Sequence, residues 1–225
     1  FYGTTFKDNQ YIEKTVLTGV SRVAKESIFS GANNFRVFTI LDNEFAEDFG
    51  ITEQEMDKII KDFDIRDDKE EIKKWYDGYK IGDKEGIYNP WSILNYLTDK
   101  RLMPYWVNTS SNDLIKLILK NSSTIKEKIE TLLRGDEITV PINFETIIVG
   151  IEENEDNIWG LLLGTGYLKI TEIVNLAESI YKVKLPNYEI KNLFEGIIRD
   201  WFSNKVIGNN LRSILNDLVT LNMYE

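Results

Sequence analysis

A chain of 225 residues that is 42% hydrophobic and 28% charged is an ordinary folding chain, sized for one large domain or two small ones. Its net charge of −10 sets a field that disfavours bulk binding to nucleic acid or an anionic membrane. The absence of Cys and His excludes disulfides, thiolate and imidazole metal sites, and catalysis built on a Cys or His side chain.

Any chemistry left must use carboxylates, Lys, Arg, hydroxyls or an oxygen-bound ion such as Mg²⁺. No apolar run approaches the roughly 20 residues of a membrane-spanning helix, and no signal peptide is visible. The expectation is a cytoplasmic chain with no membrane partner. It opens at Phe1 and closes just after an amphipathic run over 211–221, so it reads as a piece of something longer.

In chain order, the β-branched run over 13–20 predicts a short buried strand that stops at Gly19. A helix over 21–29 follows, broken by the cluster Ser30-Gly31-Ala32-Asn33-Asn34. Residues 35–41 are nearly all apolar and predict a second buried strand. The crossover between the two is long enough for a parallel pair. The segment 42–71 is strongly acidic and reads as a solvated face. Inside it, Thr52 and Glu55 have capping-box spacing, and Met56, Ile59, Ile60 and Phe63 form the stripe of a helix.

A helix over 68–76 should end at Gly78. A turn-rich loop over 79–88 leads to Asn89-Pro90, which opens a helix with Trp91, Ile93, Leu94 and Leu97 inward. An extended stretch at 105–107 precedes helices over 112–119 and 123–133. A short strand over 137–141 and a helix over 156–163 come next. Strands over 167–174 and 179–185 form a hairpin, with Leu168, Ile170 and Val174 on one parity and Tyr181, Val183 and Leu185 on the other strand. The last helix, 187–203, carries Leu193, Phe194, Ile197, Ile198 and Trp201 as its stripe. Helix, hairpin and helix in this order suggest a winged-helix-like unit.

Three stretches carry a resemblance. They are Leu17-Thr18-Gly19-Val20-Ser21-Arg22-Val23 and onward to Gly31; Trp75-Tyr76-Asp77-Gly78-Tyr79 with Tyr88-Asn89-Pro90-Trp91-Ser92; and Gly164-Thr165-Gly166-Tyr167-Leu168 with Leu185-Pro186-Asn187-Tyr188-Glu189. Together they resemble the bacterial predicted AAA-ATPase-like family, whose members carry a P-loop ATPase region followed by a nuclease-like domain of the PD-(D/E)XK type. The resemblance covers roughly residues 1–203. It implies a fold that is mainly α with an α/β edge: a partial P-loop-type parallel sheet, a helical lid and a winged-helix-like unit. The expected divisions are a sheet edge over 1–43, a lid over 44–135, the winged-helix-like unit over 136–203 and a linker from 204 to 225.

One departure from the family is large. The string G-x-x-x-x-G-K-[ST], whose backbone amides and Lys cradle phosphates, does not occur here. The resemblance therefore implies the C-terminal part of an ATPase region, without cofactor itself, in a parent that uses ATP and Mg²⁺. Its expected partners are the missing P-loop half and the nuclease-like domain, and a homo-oligomer is compatible. A smaller departure is Ala32, where the family suggests Leu.

Thr18, Ser21 and Arg22 lie at and beyond the end of the first expected strand, where open α/β sheets bind ligands. They can act as a sensor of a phosphoryl group, or Ser21 can cap a helix while Arg22 pairs with Glu26. Trp75, Tyr76, Asp77, Gly78 and Tyr79, with Asn89 and Pro90, read either as packing around a helix end or as a stacking platform with Asp77 as a polar anchor. Lys169, Lys182 and Lys184 can line one side of the hairpin, but Glu172, Glu178 and Glu189 dilute that charge, so nucleic acid is an unfavoured partner. The carboxylate pairs Asp67/Asp68 and Glu152/Glu153 read as solvated loops. Two functions stay open: an inactive fragment that couples a parent ATPase to a nuclease-like domain, or a non-enzymatic module that binds a protein or DNA.

Overall fold

The computed structural model describes residues 11–19, 36–106, 123–144 and 155–205. Among them six helices and two small antiparallel sheets form. No helix among the described residues is long and apolar enough to cross a membrane.

The first unit begins with α1 (Glu53–Asp62), closed at its start by the predicted capping box. The Thr52 side chain accepts from the Glu55 N–H, and the Glu55 carboxylate accepts from the Thr52 N–H at 2.9 Å. The next helix, α2 (Lys69–Tyr76), is capped by Asp68. Strands β1 (Tyr79–Ile81) and β2 (Lys84–Ile87) then pair antiparallel, where the sequence suggested only a loop. A left-handed Gly82 makes their turn, packed against Asn43. Helix α3 (Pro90–Asp99) starts on Asn89, whose side chain accepts from the N–H groups of Trp91 and Ser92. Met56, Ile72, Tyr76, Tyr88, Ile93 and Tyr96 make a first, aromatic core.

The second unit has α4 (Ser123–Leu133), β3 (Ile138–Pro141), α5 (Glu155–Gly164), β4 (Lys169–Asn175), β5 (Ile180–Lys184) and α6 (Tyr188–Lys205). Its sheet runs β3-β5-β4, antiparallel throughout. Val140, Tyr181 and Val183 point from the sheet into a core shared with Trp159, Leu162, Ile190 and Phe194. The expected helix, hairpin and helix are present, and the short strand expected over 137–141 is β3, which pairs with β5 as the third strand.

Several expectations are corrected. The parallel P-loop-type sheet is absent among the described residues, where every strand pairing is antiparallel. Residues 11–19 are irregular and exposed rather than a buried strand. Residues 36–41 form no strand either, because the chain turns there. Asp42 Oδ2 accepts from the N–H and the hydroxyl of Thr39 at 2.7 and 3.0 Å, and the Asp42 N–H donates to the Thr39 carbonyl. The apolar Ile40 and Leu41 pack on the second core instead of joining a ladder. The helices expected over 21–29 and 112–119 lie outside the described residues.

Smaller differences concern faces. Trp91 and Leu94 are 54% and 59% exposed, so α3 turns Tyr96 inward beside the expected Ile93. Phe63 lies outside the first core, with the Lys100 ammonium over its ring. The pairing of β4 with β5 slips after Ile170 and again after Ile173, which carries Val174 out to solvent.

Candidate functional site

Residues from the second and third motif stretches meet where the two cores touch. Gly78 follows α2 with φ +108°, and a Cβ on it would lie 2.0 Å from the carbonyl oxygen of Pro186. Only glycine allows that approach of two backbones. One turn back, Trp75 is half-buried and meets the Tyr188 ring edge-on at 4.8 Å. Tyr76 is fully buried among Tyr96 and Tyr105, and its hydroxyl both donates to and accepts from the backbone of Met103.

Glu189 closes the same seam from the other side. It is wholly buried on α6. Its Oε2 accepts from the Ser92 hydroxyl at 2.7 Å, and Oε1 accepts from the N–H groups of Tyr105 and Trp106 at 2.6 and 2.7 Å. One carboxylate thus holds α3, the bent 105–106 segment, where the sequence suggested an extended stretch, and α6 together. Burial pushes its carboxyl above the ordinary value, against the pull of these three donors.

Gly166 and Tyr79 complete the joint. A Cβ on Gly166, at φ +80°, would press on the rings of Trp106 and Tyr79. Trp106 stacks on Tyr167 at 4.9 Å. The buried Tyr79 hydroxyl faces the side chains of Asn89 and Asn187, the residues that open α3 and α6. Neither reaches it at hydrogen-bonding geometry. Asn89 also donates its N–H to the Tyr76 carbonyl, and Pro90 is the first residue of α3.

A cleft of about 560 Å³ opens beside this joint, lined by Asp77, Lys73, Lys169, Lys184 and the β1–β2 hairpin among others. The Asp77 side chain is 8% exposed, with Oδ2 3.9 Å from the Lys73 ammonium. Its Oδ1 has no hydrogen-bond partner. Burial raises the Asp77 carboxyl above the ordinary value, opposed by the Gly78 N–H and Lys73. Burial lowers the Lys169 ammonium, opposed by Asp77 and Glu85. At the rim, Glu53 accepts from the Tyr88 hydroxyl and pairs with Lys69 and Lys73. Burial raises its carboxyl, but the bonds from Lys69 and Tyr88 outweigh that and hold it below the usual value.

The sequence-predicted residues divide sharply. Trp75, Tyr76, Asp77, Gly78, Tyr79, Asn89 and Pro90 come together at the seam. Thr18 sits in the exposed 11–19 segment and does not join them, while Ser21 and Arg22 lie outside the described residues. Lys182 is held by Glu172 at 2.6 Å, and Asp67 accepts from the Tyr96 hydroxyl at 2.6 Å. Glu189 does not dilute the charge of the hairpin lysines as expected, because it is buried with both oxygens bound, and Ser92 has no role in the sequence reading beyond its place in a motif. A lone acid behind Pro-Asn-Tyr at a helix start was the available signal. Among the described residues no three acidic side chains gather as a metal site.

No family model matches the chain, and no solved structure matches it. It is similar to a curated relative from Azotobacter chroococcum mcd 1, described as an uncharacterized protein in the vnfD 5' region. The two are 25% identical over 191 residues, which is 84% of this chain and 35% of that protein. The chain spans about a third of that relative's length.

Proposed function

We propose that this chain is the transmitting body of a longer, cytoplasmic AAA-ATPase-like protein, coupling nucleotide chemistry carried elsewhere to a nuclease-like domain. The observation that supports this reading is the seam. Motif residues from both units lock to one another, and a body that relays a shape change needs a stiff joint between its parts. The greater length of the curated relative agrees with a larger parent. On this reading the phosphate cradle, ATP and Mg²⁺ belong to the P-loop part of that parent. Thr18, Ser21 and Arg22 then act only when that part is present.

Two measurements test the reading. Titration of this chain with ATP·Mg²⁺ at millimolar concentration is expected to give no saturable heat. In a protein extended upstream to include a G-x-x-x-x-G-K-[ST] string, Glu189→Ala is expected to keep ATP hydrolysis and lose its link to DNA cleavage. Micromolar ATP binding by this chain contradicts the proposal. So does an upstream sequence without the phosphate-binding string, which favours a module that binds a protein or DNA.

A further inference from the structure

The cleft beside the seam holds an electrostatic arrangement that folding alone does not require. Lys169 and Lys184 stand directly opposite one another in the β4–β5 ladder. Like charges at such positions repel. Asp77 and Glu85 act on Lys169 through space, but not as contact ion pairs. Lys80 is paired with Glu85 at 3.1 Å, and Lys73 leans between Glu53 and Asp77. Lys169 and Lys184 close no ion pair among the described residues. Glu137, on the cleft wall, holds none with them either.

The floor makes the opposite demand. Asp77 Oδ1 is a buried acceptor without a donor, whereas Glu189, the other buried carboxylate among the described residues, has both oxygens engaged. Such a group is costly unless something supplies a hydrogen. Gly86, at φ +76°, lies beside that oxygen, a Cβ there falling 4.0 Å from Oδ1. A size of about 560 Å³ suits a small molecule.

The ligand's chemistry follows from the two demands. Two abreast ammonium groups call for more than one negative charge. A phosphate monoester supplies roughly 1.5–2 charges at neutral pH, where a carboxylate supplies one. The cleft wall as a whole balances four lysines against four carboxylates, but the two cations that act on Asp77 itself are Lys73 and Lys169, so a neutral donor adds no third cation beside them. A hydroxyl fits. We propose that this cleft binds a hydroxyl-bearing phosphate monoester, with the phosphate bridging Lys169 and Lys184 and the hydroxyl donating to Asp77 Oδ1. The proposal stands independently of the transmitting role.

Calorimetric titration of the intact chain tests it, with glycerol 3-phosphate, inorganic phosphate and glycerol as probes. The expected order is saturable binding of glycerol 3-phosphate at millimolar concentration, weaker binding of inorganic phosphate, and no heat from glycerol. Lys169→Gln combined with Lys184→Gln is expected to weaken glycerol 3-phosphate by roughly tenfold or more. Asp77→Asn, with a weaker acceptor, is expected to bring the two phosphates close to equal affinity. Melting curves guard against misfolding. In phosphate-free buffer Lys184→Gln should melt no lower than the wild type, since it removes a repulsion, and should lose the shift that glycerol 3-phosphate gives the wild type. No saturable heat from either phosphate, or binding that survives the double substitution, overturns the proposal. Equal affinity of the wild type for both phosphates overturns the role given to Asp77.

Discussion

Gly78 and Glu189 do different kinds of work at the same seam. Gly78 permits a contact: its α-carbon lies against the Pro186 backbone in a conformation that L side chains avoid. Gly78→Ala is expected to cost about 3 kcal/mol or more in chemical denaturation, since backbone on both sides must move. Glu189 makes contacts, and its truncation to Ala leaves three donors without an acceptor. At about 1–3 kcal/mol for each orphaned group, that substitution should rank among the most damaging in the chain. Glu189→Gln should be milder, because the amide oxygen still accepts from two N–H groups and the Ser92 hydroxyl can turn to accept.

The same residue gives a pH signature. Its folded pKa is raised above the ordinary 4.5, so between the two values the folded state binds more protons than the unfolded one. Stability from this group therefore falls as pH rises through that window and is flat above and below it. Asp77 contributes with the same sign, while Glu53 and Glu55, held low, contribute stability that is lost as pH falls. The difference between wild type and Glu189→Gln isolates the first effect. Denaturation curves across mildly acidic pH should show the wild type gaining on the variant as pH is lowered.

At the scale of elements, the helices behave as their local chemistry dictates. The α1 capping box satisfies two backbone donors from a four-residue pattern, and Thr52→Ala should cost about 1 kcal/mol, measurable by thermal melting. Such signals are local, which is why α1, α2, α4, α5, α6 and both strands of the β4–β5 hairpin were legible in the sequence to within a residue or two. The failures are those of longer range. The run over 35–41 is apolar enough for a buried strand, but a strand needs a partner, and the Thr39–Asp42 turn redirects the chain. The β1–β2 hairpin was missed because its short strands carry Lys, Glu and Gly in place of β-branched alternation. Bulges in β4 broke a parity that simple alternation assumed.

The site shows the same divide. The aromatic motif around Asp77 and Gly78 was visible as a cluster, and in the structure Trp75 packs on Tyr188 and Tyr76 on Tyr96 at the end of α2. That Pro186 meets Gly78, and Glu189 meets Ser92, from more than ninety residues away was not legible, since nothing in local spacing joins them. Lys169 and Lys184 were noted as one side of a hairpin, but their direct opposition depends on register.

The whole molecule, over its described residues, is two hydrophobic cores joined at one seam. The first is built around Tyr76, Tyr88 and Tyr96, the second around Trp159, Tyr181 and Phe194. Each has its own sheet and helices, and motif residues such as Gly78, Trp75 and Glu189 join them, together with Tyr105, Trp106 and the Ile40–Leu41 segment. If that joint makes the two cores one cooperative unit, its loss should let them unfold separately. Differential scanning calorimetry of wild type and Glu189→Ala measures this directly. The account predicts one transition for the wild type, with equal calorimetric and van't Hoff enthalpies, and two resolved transitions for the variant. A wild type that already melts in two steps, or a variant that melts in one step at the wild-type temperature, would contradict it.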